Sequence, residues 1–257
     1  MLLTIDIGNT QIALGMFDGH ELIGHWRVST EPEATFDEIR WQLNGILGAD
    51  GFTQSDIKGL CVSSVVPAMT ATIRRVAPHV VSGAVIVVEP GVRTGMSIEI
   101  DNPREVGADR IVNSVAARDR YDCPVVVVDF GTSTNFDVVS EKGAYLGGAI
   151  APGLEIATNA LVSGTAALRR VEFTPPRSVV GKGTVEAIQS GALYGHAGLV
   201  DGIMERIASE FDGPVTRVAT GGLAPTIVPH CSSVDIVDPY LTLEGLRIIF
   251  DLNRDSA

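Results

Sequence analysis

Two stretches about half a chain apart repeat one pattern: an apolar strand that stops at an aspartate, a glycine two residues later, polar residues and a second strand. The first stretch is Leu2–Gly15, LLTIDIGNTQIALG, and the second is Val125–Val139, VVVVDFGTSTNFDVV. The apolar runs end at Asp6 and Asp129, and the glycine lets the backbone approach a ligand closely. Such a bend presents backbone N–H groups to phosphate oxygens, and the carboxylate is suited to hold a cation that binds them.

A single copy of this pattern is more typical of an ordinary tight hairpin. The second copy changes that interpretation, because it predicts a duplicated domain with two phosphate-binding hairpins facing one cleft. Each half continues with strands that alternate with helices, so the predicted fold class is α/β. We expect two similar domains, residues 1–121 and 122–257, with a hinge near Tyr121–Pro124.

Composition excludes several classes of partner. The chain has 257 residues and a formal net charge of −12, which does not suit nucleic acid or an anionic membrane. A polyphosphate ligand would therefore be neutralised by backbone amides and metal ions. Cys61, Cys123 and Cys231 are far apart and lack zinc spacing, which favours a reducing compartment. Neither a signal peptide nor a membrane-spanning run is expected from the sequence.

A second candidate for chemistry lies at the start of a predicted helix. Asn102 and Pro103 form a helix-start signal, and the helix is predicted to run from Arg104 to about Arg120. Acidic residues such as Asp109 are common in a first turn for electrostatic reasons alone, which is the structural alternative. Gly107 argues against that alternative, since a glycine within a helix costs about 1 kcal/mol and indicates a close approach of ligand or backbone.

The long helix predicted over Val185–Phe211, with Thr184 as its cap, carries four glycines and a surplus of apolar residues. Close packing against another helix is one explanation of the glycines Gly191, Gly195, Gly198 and Gly202. The apolar residues predict that part of the helix faces a partner, most simply in a two-fold dimer. They are Ile188, Leu193, Leu199, Ile203 and Ile207.

Other glycine-rich motifs are weaker. Gly181–Thr184 lacks the early glycine of a P-loop, and neither G-x-G-x-x-G after a strand nor G-x-S-x-G occurs. Gly221 and Gly222 follow a predicted strand. They would let an adenine or ribose lie against the backbone, but an ordinary strand-to-helix turn explains them equally well.

Five stretches together resemble the type III pantothenate kinases along essentially the whole chain. This family belongs to the actin, sugar-kinase and Hsp70 ATPase superfamily, so the resemblance implies two ribonuclease H-like (actin-like ATPase) domains around a central cleft. The order and spacing of the motifs make the match specific. The stretches are DIGNT at Asp6–Thr10, NPREVGADRIVN at Asn102–Asn113, DFGTSTNFD at Asp129–Asp137, GGAIAPG at Gly147–Gly153 and TGG at Thr220–Gly222.

The resemblance implies a role for each matching residue. Asp109 is the implied general base, Asp129 the ligand of an activating K⁺ or NH₄⁺, and Asp6 lies near Mg²⁺. The implied pantothenate-binding residues are Gly107, Ala108, Asp109, Arg110 and Thr184. The implied ATP-binding residues are Asp6, Ile7, Gly8, Asn9, Thr10, Gln11, Ile12, Ala13, Gly131, Thr132, Gly221 and Gly222.

The resemblance also implies a cytoplasmic homodimer that phosphorylates pantothenate with ATP, the first step of coenzyme A synthesis. Ile100 stands where many members carry an aromatic residue, and Ser133 and Asn135 are polar replacements after DFGT. Arg110 is suited to hold either the pantothenate carboxylate or Asp109. Two alternatives remain: a non-catalytic ligand sensor or transcriptional regulator on the same fold, and another small-molecule kinase or phosphatase of the superfamily.

Overall fold

The computed structural model describes residues 1–165 and 168–256, and it divides into two compact units. The first comprises Met1–Ala116 together with the chain from Leu241 onward, and the second is Ala117–Tyr240. The predicted domain boundary near residue 121 is therefore close, but the assignment of the C-terminal residues to the second domain differs from the structure.

Strands and helices are each numbered in chain order. The strands are β1 (Leu2–Ile7), β2 (Gln11–Asp18), β3 (Glu21–Ser29), β4 (Gly59–Ser64), β5 (Ala84–Val87), β6 (Val125–Phe130), β7 (Ser133–Val139), β8 (Tyr145–Pro152), β9 (Thr216–Thr220) and β10 (Ile236–Val237). The helices are α1 (Phe36–Ala49), α2 (Pro67–Val76), α3 (Ala108–Arg120), α4 (Leu154–Ser163), α5 (Thr184–Ala208), α6 (Ala224–Ile227) and α7 (Leu241–Asn253).

The two units contain sheets of the same topology. The first has the strand order β3-β2-β1-β4-β5, and the second has the matching order β8-β7-β6-β9-β10. In each sheet the strand that ends in the motif aspartate pairs antiparallel with the next strand and parallel with the fourth. The duplication inferred from the two aspartate hairpins is thus confirmed at the level of the sheets.

Each sheet packs one apolar face into its own core. In the first unit, Leu3, Ile5 and Ile7 of β1 lie in a cluster with side chains of α1 and α2. In the second unit, side chains of β6 and β7 pack against Leu193 and Val200 of α5. Burial of these aliphatic side chains supplies the main stabilisation, at about 25 cal/mol per Å² removed from water.

Two predicted helix starts are wrong in detail. The helix predicted from Arg104 is broken into a 3₁₀ turn, Pro103–Glu105, and α3, which begins at Ala108. Gly107 therefore precedes α3 instead of lying inside a helix. Thr184 is the first residue of α5 and does not cap it, because Gly183 occupies the cap position without a side-chain bond.

The last helix, α7, explains the difference in domain assignment. It packs against β1, β2 and β4 of the first sheet. Its side chains fill the space left by two strand glycines: Leu243 lies beside Gly15, and the ring of Phe250 occupies the place that a Cβ at Gly59 would need. Sequence order suggested that α7 belongs to the second domain, but its apolar contacts with the first sheet make it part of the first unit.

The residues described contain no helix that is both long enough and apolar enough to cross a lipid bilayer. Cys61 is fully buried, and Cys123 and Cys231 are partly buried, as expected for small apolar residues. Burial raises the pKa of the Cys231 thiol to about 12, which keeps it in the unreactive protonated form.

Candidate active site

The first hairpin presents a carboxylate at the end of a buried strand. Asp6 is the penultimate residue of β1, and its register neighbour on the parallel strand β4 is Ser63. The Ser63 hydroxyl, which is fully buried, donates a hydrogen bond to Oδ1 of Asp6. This bond holds the partly buried carboxylate in one orientation at the mouth of the hairpin.

The turn that follows Asp6 is fixed on both sides. The N–H of Gly8 donates to the carbonyl of Gln11 over 3.0 Å. Thr30 at the end of β3 donates its hydroxyl to the carbonyl of Gly8 (2.7 Å) and its N–H to the carbonyl of Thr10 (3.0 Å). Asn9, Thr10 and Gln11 remain exposed, so a defined loop is open to a ligand.

The stretch Gly107–Arg110 lies in the same unit and near the same edge of its sheet. A Cβ at Gly107 would lie 3.7 Å from Cγ1 of Val65, the residue that follows β4. The N–H of Val65 donates to the carbonyl of Ile7 over 3.0 Å. Val65 therefore connects the start of α3 with the end of β1, and Asp109 lies on the hairpin side of this unit.

The surroundings of the Asp109 carboxyl group shift its pKa. Its Oδ1 accepts a 2.9 Å hydrogen bond from the N–H of Arg110. Burial raises the pKa of the Asp109 carboxyl, and the backbone N–H and the charge of Arg110 only partly oppose that effect. A Cβ at Gly107 would collide with the same carboxylate oxygen. The group close to Gly107 in the structure is thus the Asp109 side chain, whereas the sequence predicted a ligand or backbone there.

The second hairpin presents its carboxylate differently. Asp129 is the penultimate residue of β6 and lies opposite Asn135 of β7 and beside Thr220 of β9. Gly221, with φ of +95°, follows Thr220 and turns its backbone onto Asp129. A Cβ there would lie 2.5 Å from Oδ1 of Asp129 and 2.6 Å from the N and O atoms of Phe130. Only glycine fits, and the backbone of Gly221 therefore packs directly against the half-buried Asp129 carboxylate.

Neighbouring segments support the second turn. Gly131 donates its N–H to the carbonyl of Ser133 over 3.0 Å. Gly153, just before α4, lies so close to the carbonyl of Thr132 that no Cβ could stand there. Behind the turn, the Thr134 hydroxyl is hydrogen-bonded to Nε2 of His196 over 2.9 Å. Burial lowers the pKa of His196, which favours the neutral ring at pH 7.

Thr184 lies at a different place in the second unit. It lines a cavity of about 600 Å³ at the start of α5, together with the cationic side chains of Arg169, Arg177 and Lys182. Arg177 also forms a 2.6 Å ion pair with Glu186. In a chain of net charge −12 this is a local concentration of positive charge, suited to an anionic group.

The donor atoms fit the cations that the resemblance implies. Each hairpin supplies one half-buried carboxylate, Asp6 or Asp129, as a candidate cation ligand. Mg²⁺ in kinases is typically bound through one or two carboxylates plus substrate phosphates, and K⁺ is commonly coordinated by carbonyl oxygens. Within residues 1–165 and 168–256, no cluster of three or more His, Cys, Asp or Glu side chains comes together as a metal site.

Sequence reasoning missed the residues that hold the two hairpins. Ser63 and Thr30 orient the first hairpin, and His196 supports the second. The signal for Ser63 was present, because a hydroxyl at the end of a parallel strand faces the same edge as the aspartate that ends its neighbour. The roles of Thr30 and His196 depend on contacts distant in sequence, which no local pattern reveals.

Comparisons with known proteins agree with this geometry. The family model described as type III pantothenate kinase matches residues 2–206. A type III pantothenate kinase of Parafrankia sp. (strain EAN1pec) is 52% identical over 256 residues, which cover 99% of each chain.

Two solved structures share the fold at low identity. A Campylobacter jejuni protein described as a Baf family transcriptional activator has a TM-score of 0.62 at 18% identity, covering 98% of this chain and 99% of that one. An inorganic polyphosphate/ATP-glucomannokinase from Arthrobacter sp. strain KM has a TM-score of 0.52 at 16% identity, covering 98% of both. The fold is thus that of the actin-like kinases, and the chain belongs to the type III pantothenate kinase family.

Proposed function

We propose that this protein transfers the γ-phosphoryl group of ATP to the primary hydroxyl of pantothenate and so forms 4′-phosphopantothenate, the first intermediate of coenzyme A synthesis. The observation that carries the proposal is the position of Asp109: its partly buried carboxylate lies at the start of α3, where Gly107 faces Val65, the residue that is hydrogen-bonded to the end of β1. Membership of the family supplies the identity of the substrate.

Asp109 acts as the general base in this proposal. A carboxylate with a raised pKa accepts a proton more readily than an ordinary aspartate, so it is better matched to a hydroxyl that is losing its proton. The N–H of Arg110 fixes one carboxylate oxygen of Asp109. The other carboxylate oxygen takes the proton from the pantothenate hydroxyl while the hydroxyl oxygen attacks phosphorus. The bond from phosphorus to the ADP oxygen breaks in the same step.

The hairpins position the phosphates. Phosphoryl transfer has a loose transition state, so positioning and charge stabilisation account for most of the catalysis. The exposed loop Asn9–Gln11 and Thr132 in the second turn offer backbone N–H and hydroxyl donors to phosphate oxygens. Gly221 and Gly222 offer bare backbone for the nucleoside. Asp6 would hold Mg²⁺ and Asp129 a K⁺ or NH₄⁺ ion, which when bound supply the positive charge that this acidic chain lacks.

Thr184 and the cations beside it are proposed to take part in pantothenate binding. Pantothenate carries a carboxylate, and the cavity at the start of α5 concentrates positive charge around Thr184. Arg110 is the other candidate for that carboxylate, and the two assignments remain open. An Arg169→Ala or Lys182→Ala variant that raises the KM for pantothenate alone would favour the cavity.

We propose a homodimer in the cytoplasm, built on α5. Of the apolar residues named from the sequence, Ile188 and Leu193 are buried, whereas Leu199, Ile203 and Ile207 are only partly buried against the core of their own unit. The face of α5 that carries three of its glycines is open. A Cβ at Gly191, Gly195 or Gly198 would meet no other described atom within 4 Å. On α4, Ile156 and Leu161 are each almost half exposed, which supports an apolar contact with a second copy.

A ligand sensor or regulator on the same fold is the weaker alternative. The similarity to the Campylobacter jejuni protein is at 18% identity and therefore concerns the fold alone. Asp6, Asp109 and Asp129 are all in place in this chain. A sensor would have no need of a base with a raised pKa.

The test is the pantothenate dependence of ADP release by the purified protein with Mg²⁺ and K⁺. We expect ADP release only with pantothenate present, with one equivalent of phosphopantothenate detected by mass for each ADP. A matched reaction with N-acetylglucosamine in place of pantothenate is the control for the sugar-kinase alternative. Equal ADP release with and without pantothenate, or none at all, would contradict the proposal.

A further inference from the structure

The C-terminal helix α7 touches the helix that carries Asp109, one turn beyond that residue. Gly245 of α7 lies so close to the carbonyl of Val112 in α3 that any Cβ at position 245 would collide with it. Gly245 is buried, and Val112 is fully buried. The backbones of the two helices are therefore in direct contact at this point, and only glycine permits it.

A side-chain bond lies beside this backbone contact. The Thr242 hydroxyl donates to Oδ1 of Asn113 over 2.7 Å, and Asn113 is only 1% exposed. Losing one partner of a buried bond leaves the other unsatisfied, which is more costly than the net contribution of the bond itself. Val112 and Asn113 follow Asp109 by three and four residues, so they lie directly below it on the same side of α3.

The helix that makes these contacts is itself rigidly placed. Leu241, Leu246 and Ile249 are fully buried in the first unit. Arg247, which is 8% exposed, bridges Glu244 over 2.9 Å and Asp251 over 3.1 Å along the helix. A rigid α7 docked on β1, β2 and β4 is thus able to fix α3 relative to the strand that carries Asp6.

We propose that Gly245, Thr242 and Asn113 form a clamp through which α7 positions Asp109 for proton abstraction. The three are positioning residues and do not touch substrate. This inference rests on the proposed function, because it requires Asp109 to be the base. The clamp aligns the carboxylate with the hydroxyl of pantothenate, and a displacement of about 1 Å in such a group can cost up to about 100-fold in rate.

The test compares Gly245→Ala and Thr242→Val with Thr242→Ser, which keeps the donor hydroxyl. We expect kcat to fall about 10-fold to 100-fold in Gly245→Ala and less in Thr242→Val. The KM for ATP should stay within about twofold of the wild-type value. Thr242→Ser should keep the wild-type kcat. The acid limb of the kcat profile should also move, since a displaced Asp109 has a different environment.

Leu43→Ala is the matched control, because Leu43 is a buried core residue of α1 in the same unit. It should lower the melting temperature without a specific loss of kcat at a temperature where the variant is folded. The clamp is refuted if folded Gly245→Ala and Thr242→Val keep wild-type kcat and pH profile, or if Leu43→Ala loses kcat to the same extent. If Gly245→Ala does not fold, the milder pair Thr242→Val and Thr242→Ser decides.

Failure of the clamp and failure of the proposed function give different results. If Asp109→Asn retains activity, the assignment of the base is wrong and the clamp loses its purpose. If Asp109→Asn is inactive while the folded clamp variants behave as wild type, only the clamp is wrong.

Discussion

The two aspartate hairpins share a topology but hold their carboxylates by different means. Asp6 is oriented by a side chain, the buried Ser63 hydroxyl on β4. Asp129, at the equivalent place in the second sheet, has Thr220 as its neighbour on β9, and the backbone of Gly221 packs against one of its carboxylate oxygens. The two frames are thus similar, but the contacts made by the residues at and after the fourth strand differ. The proposed function assigns Mg²⁺ to Asp6 and K⁺ or NH₄⁺ to Asp129, and this difference between the hairpins can be tested.

Removing each carboxylate in turn should have the largest effect and tests whether the two hairpins differ in the cation they bind. Asp129→Ala should abolish the difference between K⁺ and Na⁺ buffers and reduce activity severely, because the backbone oxygens alone lack a charge for the cation. Asp6→Asn should instead keep a K⁺ response in its residual activity and require more Mg²⁺. Initial rates over a grid of K⁺ and Mg²⁺ concentrations measure both. Equal rates of the wild type in K⁺ and Na⁺ would remove the distinction between the hairpins.

A smaller effect is expected at Gly221, where conformation and contact both require glycine. Gly221→Ala should destabilise the protein by about 1–3 kcal/mol through its positive φ, with an additional loss from the collision with Asp129. It should also weaken K⁺ activation. Gly19→Ala is the matched control, because Gly19 has φ of +60° but no described atom within 4 Å of a Cβ. If the melting temperature falls by the same amount in both variants and K⁺ activation stays intact, the contact between Gly221 and Asp129 does not have the proposed role.

The smallest effect is expected at Ser63. Ser63→Ala removes the donor to Asp6 and should raise the Mg²⁺ concentration needed for half-maximal rate several-fold, with K⁺ activation unchanged. The net worth of such a bond to a charged group is about 1.5–3 kcal/mol, which sets the upper limit of the effect. Ser63→Thr keeps a hydroxyl and is the matched variant. An unchanged Mg²⁺ dependence in Ser63→Ala would show that Asp6 is oriented by other contacts.

Local patterns predicted most of the fold. The runs around Asp6 and Asp129 predicted the central strands β1 and β6 and their hairpin partners β2 and β7. The placement of α7 was not predictable, because it depends on the fit of Phe250 and Leu243 against glycines more than 180 residues earlier. The break before α3 was also missed. There Val106 adopts an extended conformation between the 3₁₀ turn and α3, which the helical periodicity of the sequence does not reveal.

The candidate site was predicted as a set of motifs but not as a geometry. Asp6, Asp109 and Asp129 were identified through the resemblance, and the structure adds the groups that hold them. The raised pKa of Asp109 depends on burial of its side chain. Burial arises from the tertiary fold, so the local sequence around Asp109 does not reveal it. The cations Arg169 and Lys182 beside Thr184 were not identified from the sequence.

The most direct test of the account is single-turnover phosphorylation of pantothenate by the wild type and by Asp109→Asn, across pH. Because burial raises the pKa of Asp109, the carboxylate is lost at a higher pH than for an ordinary aspartate, and the wild-type rate should fall as pH decreases through that value. Asp109→Asn should be about 10²-fold to 10⁴-fold slower and lack this acid limb. It should bind ATP normally and melt at the same or a higher temperature at pH 7, because the cost of a buried charge is gone. A variant with near-normal turnover and the wild-type pH profile would contradict the central claim.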